Sequence, residues 1–90
     1  MIRVEPISQN EWLVTVEGKT ATEHRVRLAQ PDLRRLGGAD VSAEQLLEAS
    51  FRFLLDREPN TSILSSFDLP VISRYFHEYE KEIAGYLAQG

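Results

Sequence analysis

The sequence predicts an α+β domain, with a three-stranded antiparallel meander over residues 1–29 packed on a bundle of three to four helices over residues 31–90. Three observations carry that expectation. Before Gly37-Gly38 the apolar residues alternate, the period of a strand with one buried face. After it they recur at steps of three and four, the period of a helix with a buried stripe. Between the two regimes, Ser42 followed by Gln45 forms a capping box, a local helix start.

In the first half, Trp12, Val14 and Val16 share one face of a strand, and His24, Val26 and Leu28 share one face of the next, with Glu23, Arg25 and Arg27 opposite. Ile2, Val4 and Ile7 mark an earlier strand, which Pro6 confines to an edge because proline has no N–H for the ladder. Asn10 and Gly18-Lys19-Thr20 supply the turns. Pro31 to Gly37 then reads as a single helical turn, opened by proline and ended by glycine.

The capping box predicts a helix from Ser42 to about Glu58, with Val41 and Leu46 spaced as a hydrophobic staple and Pro59 as the stop. Leu46, Leu47, Ser50, Phe51, Phe53, Leu54 and Leu55 cover about half of its circumference, so this helix needs cover from two directions. Glu48, Arg52 and Asp56 are its solvent edge. Asn60 is read as the cap of a short helix ending near Phe67, and Asp68 as the cap of the next, with Leu69 and Pro70 in its first turn. Ile72, Phe76, Tyr79, Ile83 and Leu87 then form one apolar stripe, widened by Tyr75 and Tyr86.

The run FRFLLDREPNTSILSSFDLPVISRYFHEYE, a third of the chain, resembles a small family of uncharacterised prokaryotic cytosolic proteins with a strand-rich start and helices of this wording. The resemblance implies no activity and lends no site residue. That family places proline after its Tyr-Phe pair where this chain has His77, which leaves open whether residues 68–88 form one helix or two.

Composition removes several chemistries. Ninety residues suffice for one domain that buries roughly 60–65% of its unfolded surface. The absence of cysteine excludes disulfides, thiolate metal sites and a cysteine nucleophile. With neither a signal-like apolar run at Met1-Ile2-Arg3-Val4-Glu5 nor eighteen consecutive apolar residues anywhere, the expectation is a cytoplasmic protein without a membrane partner. His77 and Glu80 share a helical spacing but lack further ligands, so neither metal nor cofactor is expected. His24 is assigned to the core with its ring nitrogens satisfied, and Ser50, Ser65, Ser66 and Ser73 lack an identifiable base. An enzyme is not expected.

Two partner classes remain. Tyr75, Tyr79 and Tyr86, with Phe76, give the last segment more aromatic surface than one stripe must bury, which points to a non-enzymatic interaction module facing a protein partner or a second copy. The alternative is nucleic acid, because SSFDLPVISRYF has the outline of a helix-turn-helix, with Arg74 on the second helix and Arg25, Arg27, Arg34 and Arg35 as a further basic surface. Charge disfavours it. Residues 37–90 carry four basic and nine acidic side chains, a net −5, and Glu78, Glu80 and Glu82 follow directly on Arg74.

Overall fold

The computed structural model describes residues 1–89. Strands β1 (Ile2–Ser8), β2 (Glu11–Val16) and β3 (Thr22–Arg27) form the predicted meander, paired antiparallel in order. The alternation sets which face is inward: Trp12, Val14, Val16, His24, Val26 and Leu28 are all buried, and Arg25 and Arg27 project from the opposite face. Pro6 lies on edge strand β1, opposite Trp12, and the ladder slips between Pro6 and Ser8. That bulge leaves Ile7 outside the pairing and 44% exposed.

Helix α1 (Gln30–Gly37) runs for eight residues, longer than the single turn expected. It stops at Gly38, whose φ of +87° a side chain would strain, and the Gly38 N–H bonds the Arg34 carbonyl at 3.0 Å. Helix α2 (Ala43–Leu55) opens with the capping box in place: Gln45 N–H donates to Ser42 Oγ at 3.1 Å, and Ser42 N–H to Gln45 Oε1 at 2.8 Å.

The two-sided cover predicted for α2 is visible in two of its phenylalanines. Residues two apart on a helix point in nearly opposite directions. Phe51 packs toward the sheet, 5.3 Å from the His24 ring and 6.1 Å from Phe67. Phe53 packs toward the C-terminal helices, within 5.9 Å of Phe76, 5.2 Å of Tyr79 and 5.6 Å of Tyr86. Both are fully buried. Arg52, expected at the solvent edge, is instead half-buried and donates to the Tyr86 carbonyl at 3.2 Å.

Residues 60–68 depart from the predicted short helix. A 3₁₀ turn (Asn60–Ser62) is followed by a fourth strand, β4 (Ser66–Asp68), which pairs parallel with β3 and makes the sheet mixed. A parallel neighbour requires a long crossover, and α1 and α2 supply it. Asp68 makes no cap bond at the 3₁₀ turn that follows (Leu69–Val71); its carboxylate pairs with Arg27 on β3 instead. The final segment is two helices, α3 (Ile72–Tyr75) and α4 (Tyr79–Gln89), separated where Phe76 becomes extended at φ −131°, ψ 95°. The apolar stripe crosses that break: Ile72, Tyr79 and Ile83 are buried, and Phe76 and Leu87 are half-buried.

Candidate functional site

Of the three tyrosines expected at an interface, the structure leaves one at the surface. Tyr75 on α3 is 67% exposed. Tyr79 is wholly interior, its hydroxyl 2.7 Å from Ser50 Oγ, and burial pushes its pKa up. Tyr86 is half-buried, donating to the Asp56 carboxylate while Arg57 reaches its hydroxyl at 3.3 Å. Phe53 explains the aromatic density, because Phe76, Tyr79 and Tyr86 all converge on its ring.

Tyr75 borders an open cleft of about 330 Å³ between the end of α2, the 62–67 segment and α3. Leu54, Ile63, Phe67, Ile72 and Phe76 give it an apolar lining, and Leu64, 45% exposed, stands on its rim with Tyr75. Glu58 adds the one carboxylate. Burial raises the Glu58 pKa, and among the described residues no basic group forms an ion pair with it. Arg57, its neighbour in sequence, is directed elsewhere: its guanidinium lies 3.7 Å from the Phe53 ring centre and donates to Glu78 and Glu82.

The Leu64 wall is fixed from the sheet. Ser65 C=O accepts from Arg25 N–H at 2.8 Å, and the His24 ring meets Leu64 C=O through Nδ1 at 2.7 Å. A carbonyl can only accept, so Nδ1 carries the proton. Asn60 Nδ2 donates to Thr22 Oγ1 at 3.0 Å, which frees the threonine proton for His24 Nε2 at 2.9 Å. His24 therefore has the core role expected, and it also ties one wall of the cleft to β3.

Comparison with family models, with curated proteins and with solved structures finds no match. The cleft is therefore interpreted on its own chemistry. Sequence reasoning missed Glu58, which it places at the end of the helix from Ser42, and Leu64, which falls inside the short helix expected after Asn60. One signal was available: when two apolar residues adjoin in an extended segment, only one can face the core.

The arginines proposed for nucleic acid are largely engaged with carboxylates. Arg25 lies 3.8 Å from Glu11, Arg27 pairs with Asp68, and Arg35 lies 2.7 Å from Glu80 and 3.5 Å from Asp32. Arg34 and Arg74 are exposed and have no carboxylate within 4.0 Å among the described residues. Arg27 and Arg74 do share a second cleft, of about 430 Å³, but Glu11, Asp32 and Asp68 line it too, three negative charges to two positive. The helix expected before α3 in a helix-turn-helix is replaced by the 3₁₀ turn and β4. No helix among the described residues is long and apolar enough to cross a membrane.

Ion pairs between the helices give the fold a pH dependence. The hydrogen bond from Arg57 holds Glu78 below the usual glutamate range, and those from Arg35 and Ser73 do the same for Glu80. A carboxyl whose pKa falls on folding stabilises the native state above its unfolded value and loses that contribution as pH drops through the folded one. Glu58 has the opposite sign, because its raised pKa means that ionisation on going to higher pH costs stability. With two lowered groups against one raised, the urea midpoint is expected to fall between about pH 5 and about pH 3. Arg57→Met should show a shallower fall; an unchanged slope would show that Arg57 and Glu78 are not coupled in solution.

Proposed function

We propose that this chain is a non-enzymatic interaction domain that holds a short segment of a partner protein in the cleft between α2, the 62–67 segment and α3. The observation that carries this reading is the pair Leu64 and Tyr75. The large exposed hydrophobic residues are Met1, Ile7, Leu64 and Tyr75, and two of those four stand on the rim of one apolar cleft. A folded chain gains nothing from such exposure, whereas a docked segment removes both side chains from water.

An open cleft suits a polypeptide better than a small molecule. Small-ligand sites enclose most of their ligand's surface, whereas this cleft is open along one side and leaves that side of any occupant to solvent. The lining also favours binding over chemistry, because the only titratable groups that it brings together are Glu58 and the Tyr75 hydroxyl. Nucleic acid is supported less well, since Arg25, Arg27 and Arg35 are engaged with carboxylates on their own chain.

Selection of a displayed random dodecapeptide library on the immobilised protein tests this reading. Binders to the wild type are expected to lose at least tenfold in affinity for Leu64→Ser/Tyr75→Ser, whose substitutions lie at exposed positions and leave the unfolding midpoint near that of the wild type. Binders indifferent to both substitutions would overturn the assignment of the cleft. Sedimentation velocity tests the other occupant: a dimer at micromolar protein that Tyr75→Ser abolishes would give the cleft to a second copy.

A further inference from the structure

Resting on the docking role proposed above, we infer that the residue a partner inserts into this cleft is a cation, an arginine or lysine whose alkyl stem lies on the apolar lining and whose charge ends on the Glu58 carboxylate. Four observations converge on it. Glu58 is the one charged group of a mostly apolar cleft, whose other polar side-chain atoms are the hydroxyls of Ser62 and Tyr75, and no basic group among the described residues pairs with it. A half-buried carboxylate without a partner is destabilising in the free protein, and a cation arriving with the ligand removes that penalty.

The same cleft is lined by three aromatic rings, Phe67, Tyr75 and Phe76. Aromatic faces attract ammonium and guanidinium groups, and a carboxylate beside them adds a full charge to that attraction. The chain already uses this combination once, where Arg57 lies over Phe53 and pairs with Glu78 and Glu82. At the cleft the aromatic rings and the carboxylate are present, and the cation is the component that a ligand would bring.

Stem and field fit as well. Leu54, Ile63 and Ile72 offer an apolar surface of the kind on which arginine and lysine lay their methylenes while the charged end reaches a polar partner. At longer range, the whole chain carries a net −4, so a basic segment is attracted to it and an acidic one is repelled. Charge thus favours a cationic ligand both at the Glu58 contact and in the molecule's net field.

The dodecapeptides selected on the wild-type protein provide the test. They are expected to be enriched in arginine or lysine next to a large apolar residue, relative to the unselected library. For one such peptide made synthetically, replacing the basic residue by norleucine should weaken binding to the wild type about tenfold, the loss of one charge-assisted contact. The same replacement should have little effect on binding to Glu58→Gln. A peptide set without basic enrichment, or a norleucine effect of equal size on both proteins, would overturn the cationic anchor. If those peptides still depend on Leu64 and Tyr75, the docking role stands without it, whereas independence from Leu64 and Tyr75 overturns both. The basic enrichment and the norleucine loss are both read on the unaltered protein, so the absence of either overturns the cationic anchor even if Glu58→Gln perturbs folding.

Discussion

Phe51→Ala is expected to lower the stability of this domain by about 3–5 kcal/mol, the range for removing a fully buried phenylalanine and leaving a cavity. Phe51 has no exposed surface, and its ring links α2 to two strands at once, through His24 on β3 and Phe67 on β4. No neighbouring element can collapse into the gap without releasing one of those contacts, which places the effect toward the upper part of the range. For a small domain whose whole stability is on the order of 5–10 kcal/mol, that is half or more of it. Urea unfolding followed by the fluorescence of the single tryptophan, Trp12, measures it directly. A midpoint close to that of the wild type would mean that α2 is not wedged between the sheet and the C-terminal helices. The cleft should suffer together with the fold, since Phe67 lines it and His24 holds the Leu64 carbonyl.

Tyr79→Phe should cost about 1–3 kcal/mol for a change of one oxygen atom, because it leaves the Ser50 hydroxyl buried without a partner. Ser50→Ala strands the tyrosine hydroxyl in the same way. The double variant removes both polar atoms together and should be more stable than the sum of the two losses implies, with a coupling of about 1 kcal/mol or more. Denaturation midpoints of the four proteins close the cycle. Strict additivity would show that the Ser50–Tyr79 contact does not join α2 to α4 in solution. This buried pair gives a tyrosine rather than a phenylalanine a role in the stripe at position 79: its hydroxyl ties α4 to Ser50, the fully buried polar residue of α2.

Much of this architecture can be read from one dimension. The meander is legible because each of its strands is long enough for alternation to separate inward from outward residues, and a one-residue slip would expose Val14 and Val26. Helix α2 is legible because its cap is local, involving only Ser42 and Gln45, and because an apolar surface covering half a helix has few arrangements that bury it. The unfavourable charge around Arg74 is likewise a matter of counting side chains.

The rest depends on contacts between distant segments. Strand β4 has three residues and one inward side chain, Phe67, too few for a period to exist, and its hydrogen bonds come from β3 some forty positions earlier. Asp68 looks like a helix cap in sequence because aspartate commonly is one, but Arg27 brought alongside by the parallel pairing takes its carboxylate. The stripe from Ile72 to Leu87 has the spacing of a single helix, and only packing around Phe53 decides that the chain breaks at Phe76. The same packing decides which tyrosine is free. Tyr79 and Tyr86 are drawn inward by Ser50, Asp56 and Arg57, all on or just beyond α2, and Tyr75, on the short helix before the break, is left at the cleft. Local spacing determined that these side chains share a helical surface; which of them meets solvent was decided by where α2 and α3 came to lie, because burial is a property of neighbours that the chain brings together only when it folds.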